Sequence, residues 1–259
     1  DSLGVEPLRQ LLAARGDEVA LVLWPGVQYR SGEAFDLAAV AAAARSAGAH
    51  CGLDLAHAMG NVPLALHDSG ADFAAWCGYK YLNGGPGAIG GAFVHERHAR
   101  ADLPRLAGWW GHDPATRFAM GPQFVPAPGA EGWQVSNPPI LSTAPLLASL
   151  PLFDAAGPDA LQAKRQSLGQ LLVEGVTALC DDTLQLITPA RRGCQLSLRV
   201  RAGRDAGRRV FAALGDQGVV ADWREPDIIR VAPVPLYNTH HDVVRLLAAL
   251  VTALALPAA

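Results

Sequence analysis

Apolar residues along the chain fall into short runs separated by helical stripes. Val19 to Trp24 is an uninterrupted apolar run closed by Pro25-Gly26, the signature of a buried strand. Asp36 then stands where a helix cap is needed. Leu37, Val40, Ala41 and Ala44 form one apolar stripe behind it, and Gly48 supplies a stop. Further strand-like runs follow at His50 to Leu55, Asp72 to Cys77 and Ala88 to His95. Strands alternating with helical segments predict a parallel sheet in an α/β domain.

Periodicity is lost from Gly108 to Pro139, a stretch rich in Gly, Pro and Trp; a loop this long is usually functional. Helical patterning returns from Ile140 to Cys180, broken at Gly157-Pro158. Beyond it the pattern predicts a strand at Gln195 to Arg201, a helix at Asp205 to Asp216, strands at Val219 to Trp223 and Ile228 to Ala232, and a closing helix from about His240. The chain thus divides into residues 1–139, part of a large α/β domain, and residues 140–259, a linking helix with a smaller C-terminal α/β domain. The first α/β element begins so near residue 1 that an N-terminal portion of the large domain is expected to be missing.

Composition narrows the function. With 259 residues, 50% hydrophobic and 17% charged, the chain suits a soluble globular protein with one large core or two smaller ones. A net charge of −3 without basic blocks argues against nucleic acid and anionic membrane. No apolar run reaches the ~18 residues of a membrane helix, and Leu246 to Leu256 reads as the last core helix. Cys51, Cys77, Cys180 and Cys194 are scattered and form no CxxC pair, which predicts buried thiols, no zinc site and a cytoplasmic location. The histidines show no metal-ligand spacing. Gly85 to Gly90 matches GxGxxG but leads into a strand-like run, so it does not predict a dinucleotide site.

The distribution of lysine is more pointed. Of the 21 Lys and Arg residues, only Lys80 and Lys164 are lysine. Arginine replaces lysine wherever charge suffices, but a guanidinium cannot act as a neutral amine nucleophile. Lys164 lies in a polar helix. Lys80, between Tyr79 and Tyr81 after an apolar run, is the candidate nucleophile. Asp54 ends a strand 26 residues earlier, and open α/β sheets bind ligands beyond the carboxyl ends of their strands. Flanked by Leu53 and Leu55, it is expected to be buried and to need a cationic partner; a pyridinium nitrogen fits. Taken singly, a strand-end aspartate is also a turn former, and Tyr-Lys-Tyr also suits an amphipathic edge.

The stretches DLAHAMGN (54–61), GADFAAWCGYKYLNGGPGAIGGAFVHERH (70–98), GWWGHDPATRFAM (108–120), SNPPIL (136–141) and RVAPVPLYN (230–238) resemble kynureninase, in the family's order and across nearly the whole chain. The resemblance implies a fold-type-I pyridoxal-phosphate enzyme, with a three-layer large domain and a smaller C-terminal α/β domain. It implies pyridoxal 5′-phosphate on Lys80, Asp54 at the ring nitrogen, His57 beside the cofactor, and Tyr79 as phosphate ligand and acid/base. Trp109 and Asn137 are implied to reach the cofactor of a partner subunit in a homodimer, and Arg230 to grip the substrate carboxylate. The implied reaction is hydrolysis of L-kynurenine or 3-hydroxykynurenine to an anthranilate and L-alanine, in tryptophan catabolism leading to NAD. Pro25 departs from the family, which carries a hydroxyl residue there. The family's further N-terminal stretch is expected to be absent from this chain. The alternatives are another fold-type-I enzyme, a desulfurase or aminotransferase, or an inactive fragment.

Overall fold

A computed structural model of the protein describes residues 4–180 and 182–255. Helix α1 (Val5–Arg15) leads into strand β1 (Leu21–Pro25), and α2 (Leu37–Ser46) into β2 (His50–Asp54). The cap read from sequence is present: the Asp36 side chain accepts from the Ala39 N–H, and α2 buries Val40, Ala41 and Ala44. A short helix, α3 (Leu66–Ser69), precedes β3 (Phe73–Trp76) and β4 (Gly91–Val94).

The first sheet has the order β1-β2-β3-β4. β1, β2 and β3 are parallel, as the alternating pattern predicts. β4 corrects that prediction, because it runs antiparallel to β3, pairing Phe73 with Val94 and Trp76 with Gly91. No helix separates β3 from β4; the connection is the Gly-rich segment carrying Lys80, which returns the chain without the crossover a parallel neighbour requires. Val22, Val40, Ala44, Leu53 and Leu55 form the centre of this core. The opposite face of β1 leaves Leu21 and Leu23 exposed at 45% and 61%.

Residues 108–139 form a long excursion with short 3-10 turns at Arg117–Ala119 and Gly129–Trp133. Helices α4 (Ile140–Ala156) and α5 (Pro158–Cys180) follow, broken at Gly157 as expected. No single helix among the described residues is long and apolar enough to cross a membrane; the α4–α5 pair has the composition but bends by 85°.

The second sheet contains β5 (Leu184–Leu186), β6 (Leu196–Val200), β7 (Asp222–Arg224) and β8 (Ile228–Val231) in the order β5-β6-β8-β7, all antiparallel. α5, α6 (Arg204–Asp216) and α7 (His240–Leu254) cover it around a second core that includes Leu172, Leu198, Leu214, Ile229 and Leu250. The run at Leu246 is a core helix: α7 buries Val243, Leu246, Leu247 and Leu250. Thr239 and Asp242 close its N-terminus with a reciprocal capping box.

Candidate active site

The site forms at the carboxyl ends of the parallel strands. The Gly26 N–H donates to the Asp54 carbonyl at 2.8 Å, and the Leu55 N–H to the Ala75 carbonyl at 2.9 Å, so β1, β2 and β3 end in register. Leu53 and Leu55 are buried, but Asp54 is exposed. The expectation of a buried aspartate therefore fails for a simple reason: alternate strand residues face opposite ways, so two buried neighbours turn the residue between them outward. Asp54 Oδ1 accepts from the Ala56 N–H at 2.9 Å, a local turn contact.

A compact turn follows, with the Ala58 and Met59 N–H groups both donating to the Leu55 carbonyl at 2.9 Å. It presents His57. Asn61, buried, fixes the turn from behind: its Nδ2 donates to the His57 carbonyl and its Oδ1 accepts from the Cys194 N–H, both at 2.9 Å. A side chain at Gly193 would collide with Asn61, so the C-terminal sheet approaches this turn only because that position is glycine. Gly60, at φ 78°, likewise packs against the Tyr81 backbone.

Lys80 lies beyond the end of β3, in the bend that follows it, after the strand-like run as the sequence predicts. The bend is held by the Asn83 N–H on the Lys80 carbonyl, by the Gly84 N–H on the Gly78 carbonyl, both at 3.0 Å, and by the buried Ser149 hydroxyl on the Leu82 carbonyl at 2.7 Å. Lys80 Nζ lies 3.3 Å from His57 Nε2 and 5.7 Å from the centre of the Tyr79 ring. Tyr79 is half-exposed, and the adjacent Cys77 thiol raises its phenol above the usual range.

His57 is strongly perturbed. Burial, then the positive charges of Lys80 and Arg230, push its pKa down to about 4 against an opposing pull from Asp54. The imidazole is therefore neutral near pH 7, and its buried Nδ1 has no hydrogen-bond partner. A buried orphan nitrogen is costly unless something else satisfies it.

Arg230, on β8, closes the site from the C-terminal sheet. It donates to the Tyr29 carbonyl at 2.7 Å and pairs with Asp222, which Arg224 also engages at 2.7 Å. Tyr81 packs edge-on to His57, with ring centres 6.1 Å apart. Burial raises its phenol well above the usual range, with the Cys194 thiol adding to the effect and Arg230 opposing it. Sequence reasoning did not select Asn61, Tyr81, Cys194 or Asp222. Only Tyr81 gave a signal, as the second tyrosine beside Lys80.

The structure thus gathers Lys80, Tyr79, His57, Asp54 and Arg230 into one neighbourhood. It does not bring Trp109 or Asn137 there. Trp109, 45% exposed, packs on Phe118 with ring centres 5.5 Å apart, and exposed Asn137 accepts from the Ser136 hydroxyl at 3.3 Å. Both contacts lie within their own segment.

Elsewhere, donor atoms of His50, Asp72 and His98 lie within 4.8 Å of one another, a grouping the sequence spacing did not reveal. Asp72 is already engaged by Arg97 at 2.7 Å, His98 at 2.6 Å and the Cys51 N–H at 2.7 Å. That arrangement is an ion network rather than an open cation site. Cys51 and Cys194 are buried, Cys77 is partly so, and the Cys180 side chain lies outside the described residues.

Comparison with known proteins gives the chain its relatives. The family model described as the kynureninase C-terminal domain matches residues 161–250. The kynureninase of Xanthomonas oryzae pv. oryzae (strain PXO99A) is 60% identical over 245 residues, covering 93% of this chain and 58% of that protein. The kynureninase of Xanthomonas campestris pv. campestris (strain B100) is 58% identical over the same share of each. The chain is similar to kynureninases. It spans about 58% of the length of the kynureninases it matches. Its fold is the fold-type-I arrangement, shared with the cysteine desulfurase CsdA from Escherichia coli at a TM-score of 0.77 and 18% identity, over 98% of this chain and 64% of that one. A mutant of C-DES with glycine covalently linked to its PLP cofactor aligns at a TM-score of 0.75 and 21% identity, over 93% of this chain and 63% of that one. At such identities the likeness to these two structures carries the fold alone. The likeness to kynureninases covers 93% of this chain.

Proposed function

We propose that the protein is a kynureninase, hydrolysing L-kynurenine or its 3-hydroxy form to an anthranilate and L-alanine with pyridoxal 5′-phosphate as cofactor. The observation that carries this reading is the contact of Lys80 with a neutral His57, in a chain 60% identical to a kynureninase.

The residues present fit such a cofactor. An amine, a carboxylate and an arginine converge on a half-buried imidazole whose buried Nδ1 has no partner. Lys80 would hold the cofactor covalently, and Asp54 would hold its ring nitrogen protonated; the exposure of Asp54 leaves its second oxygen open for that partner. His57, neutral, can lie against the ring without adding a charge that competes with Asp54. Tyr79, half-exposed beside Lys80, offers a hydroxyl to the phosphate. When bound, pyridoxal phosphate supplies an electron sink for bonds broken at the substrate's amino-bearing carbon.

The chain's own groups then divide the work. Arg230 binds the substrate α-carboxylate with its planar fork. Lys80 would take the α-proton of the substrate. Tyr79 moves the proton needed as water adds to the γ-carbonyl and the Cβ–Cγ bond breaks. One water is consumed, its oxygen leaving in the anthranilate carboxylate and the alanine fragment taking up a proton.

A homodimer with a shared site is part of the same reading. Trp109, Phe118 and Met120 on the segment bearing Trp109 and Asn137 are exposed at 45%, 76% and 75%, and Ile140 and Leu141 at the start of α4 at 80% and 88%, apolar surface that a second copy would cover. In this reading residues 1–139 and 140–259 are the two structural units, and the enzyme acts in the cytoplasm. The test is turnover of kynurenine against cysteine: release of anthranilate with cysteine inert supports the assignment, and the reverse overturns it.

A further inference from the structure

A second cavity, of about 420 Å³, opens between the large domain and the start of α5; its wall includes neither Lys80 nor His57. Phe35 and Val62 form its apolar side, and Arg165, Arg191 and Arg192 its charged side. Arg191 has an acid partner, Asp36, at 3.6 Å. The other two differ. Arg165 is buried, 9% exposed, yet everything it bonds is neutral: Gln162 Oε1 at 3.1 and 2.7 Å and the Arg192 carbonyl at 2.6 Å. Arg192 donates to the Ala190 carbonyl at 3.2 Å. Among the described residues, neither guanidinium has a carboxylate within ion-pairing distance.

Buried charges are normally paired, because removing an ion from water is costly without a counter-charge. Two neighbouring guanidiniums repel each other as well. Consistently, burial pulls both arginines below their usual range, and Arg192 adds to the effect at Arg165. Asp68 also lines the cavity, but it is exposed and engaged by His67 at 3.1 Å.

We propose that this cavity binds a small oxyanion, a phosphate or a carboxylate, on the guanidinium groups of Arg165 and Arg192. Planar forked donors suit the geometry of either anion. Arg165 lies on α5 and Arg192 on the segment entering β6, facing Phe35 and Val62 of the large domain, so the anion would sit at the junction of the two sheets. This site is independent of the reaction assigned above.

The test is the thermal unfolding midpoint of the protein titrated with sodium phosphate or sodium acetate, against sodium chloride at matched ionic strength. Each titration is run with and without saturating pyridoxal phosphate. Binding of phosphate, acetate or both raises the midpoint by roughly 2–4 °C at about ten times the dissociation constant. The rise persists with cofactor present and is lost in Arg192→Gln and in Arg165→Met; which anion produces it identifies the ligand. Arg192 is partly exposed, so Arg192→Gln folds even if the buried Arg165 does not tolerate replacement. A rise that survives Arg192→Gln, or one abolished by pyridoxal phosphate, belongs to another site and overturns the proposal, as does no rise with either anion.

Discussion

Lys80 Nζ stands 3.3 Å from His57 Nε2, with the other imidazole nitrogen buried and unpartnered. A cation against a neutral ring is stable only if the ring stays unprotonated. The depression of the His57 pKa to about 4 meets that condition at neutral pH.

The first prediction follows from that pair. Replacing Lys80 with Met removes one of the charges that depress His57, so the histidine's pKa rises. Imidazole chemical shifts followed against pH measure it; an unchanged midpoint contradicts the contact.

The same group sets a pH dependence of stability. A histidine whose folded pKa lies below its unfolded value binds fewer protons when folded, so stability rises with pH through that interval. Between about pH 4 and 6.5 the neutral His57 makes the protein lose about 2–3 kcal/mol as pH falls. His57→Gln flattens this part of the profile. Urea unfolding midpoints at pH 4.5 and 7 compare the two proteins.

Asp72 acts over a lower interval with the opposite type of group. Partial burial alone would raise its pKa, but the Cys51 N–H, His98 and Arg97 hold it well below the usual carboxylate range. Its stabilisation is present above the unfolded value near 4 and is lost as pH falls further. Asp72→Asn removes that dependence and costs about 1–3 kcal/mol near neutrality, measured by denaturant unfolding.

Much of this was legible in the chain. The Asp36 cap, the stripe of α2, the strand ending at Asp54, the break at Gly157 and the buried α7 follow from local pattern, because cap chemistry and 3.6-residue periodicity depend on near neighbours. The misses have non-local causes. Strand direction at β4 depends on the connection carrying Lys80, not on the strand's own residues. The outward turn of Asp54 follows from which neighbours are buried. Asn61 and Cys194, 133 residues apart in sequence, meet only through the packing of two sheets. Helix α1 went unread although Val5, Leu8 and Leu12 stand at helical spacing; Leu8 and Leu12 are buried and Val5 packs against the same core.

Arg230 supplies a kinetic prediction. Arg230→Lys keeps the charge but loses the fork that reaches both Asp222 and the Tyr29 carbonyl. KM for kynurenine rises about 10–100-fold, with a smaller change in kcat. Steady-state kinetics separate the two.

Trp109 is exposed in this chain, so Trp109→Ala changes unfolding stability of the single chain by less than about 0.5 kcal/mol. If a second copy covers it, the same variant weakens self-association and cofactor affinity together. Analytical ultracentrifugation and cofactor titration measure both.

Everything functional depends on the amine at position 80 being the one that carries the cofactor. The most direct measurement is borohydride reduction of the purified protein with pyridoxal phosphate, followed by peptide mass analysis. The account predicts one pyridoxyl-phosphate adduct, on the peptide containing Lys80, absent from Lys80→Arg. An adduct on Lys164, or none on Lys80 at saturating cofactor, contradicts it.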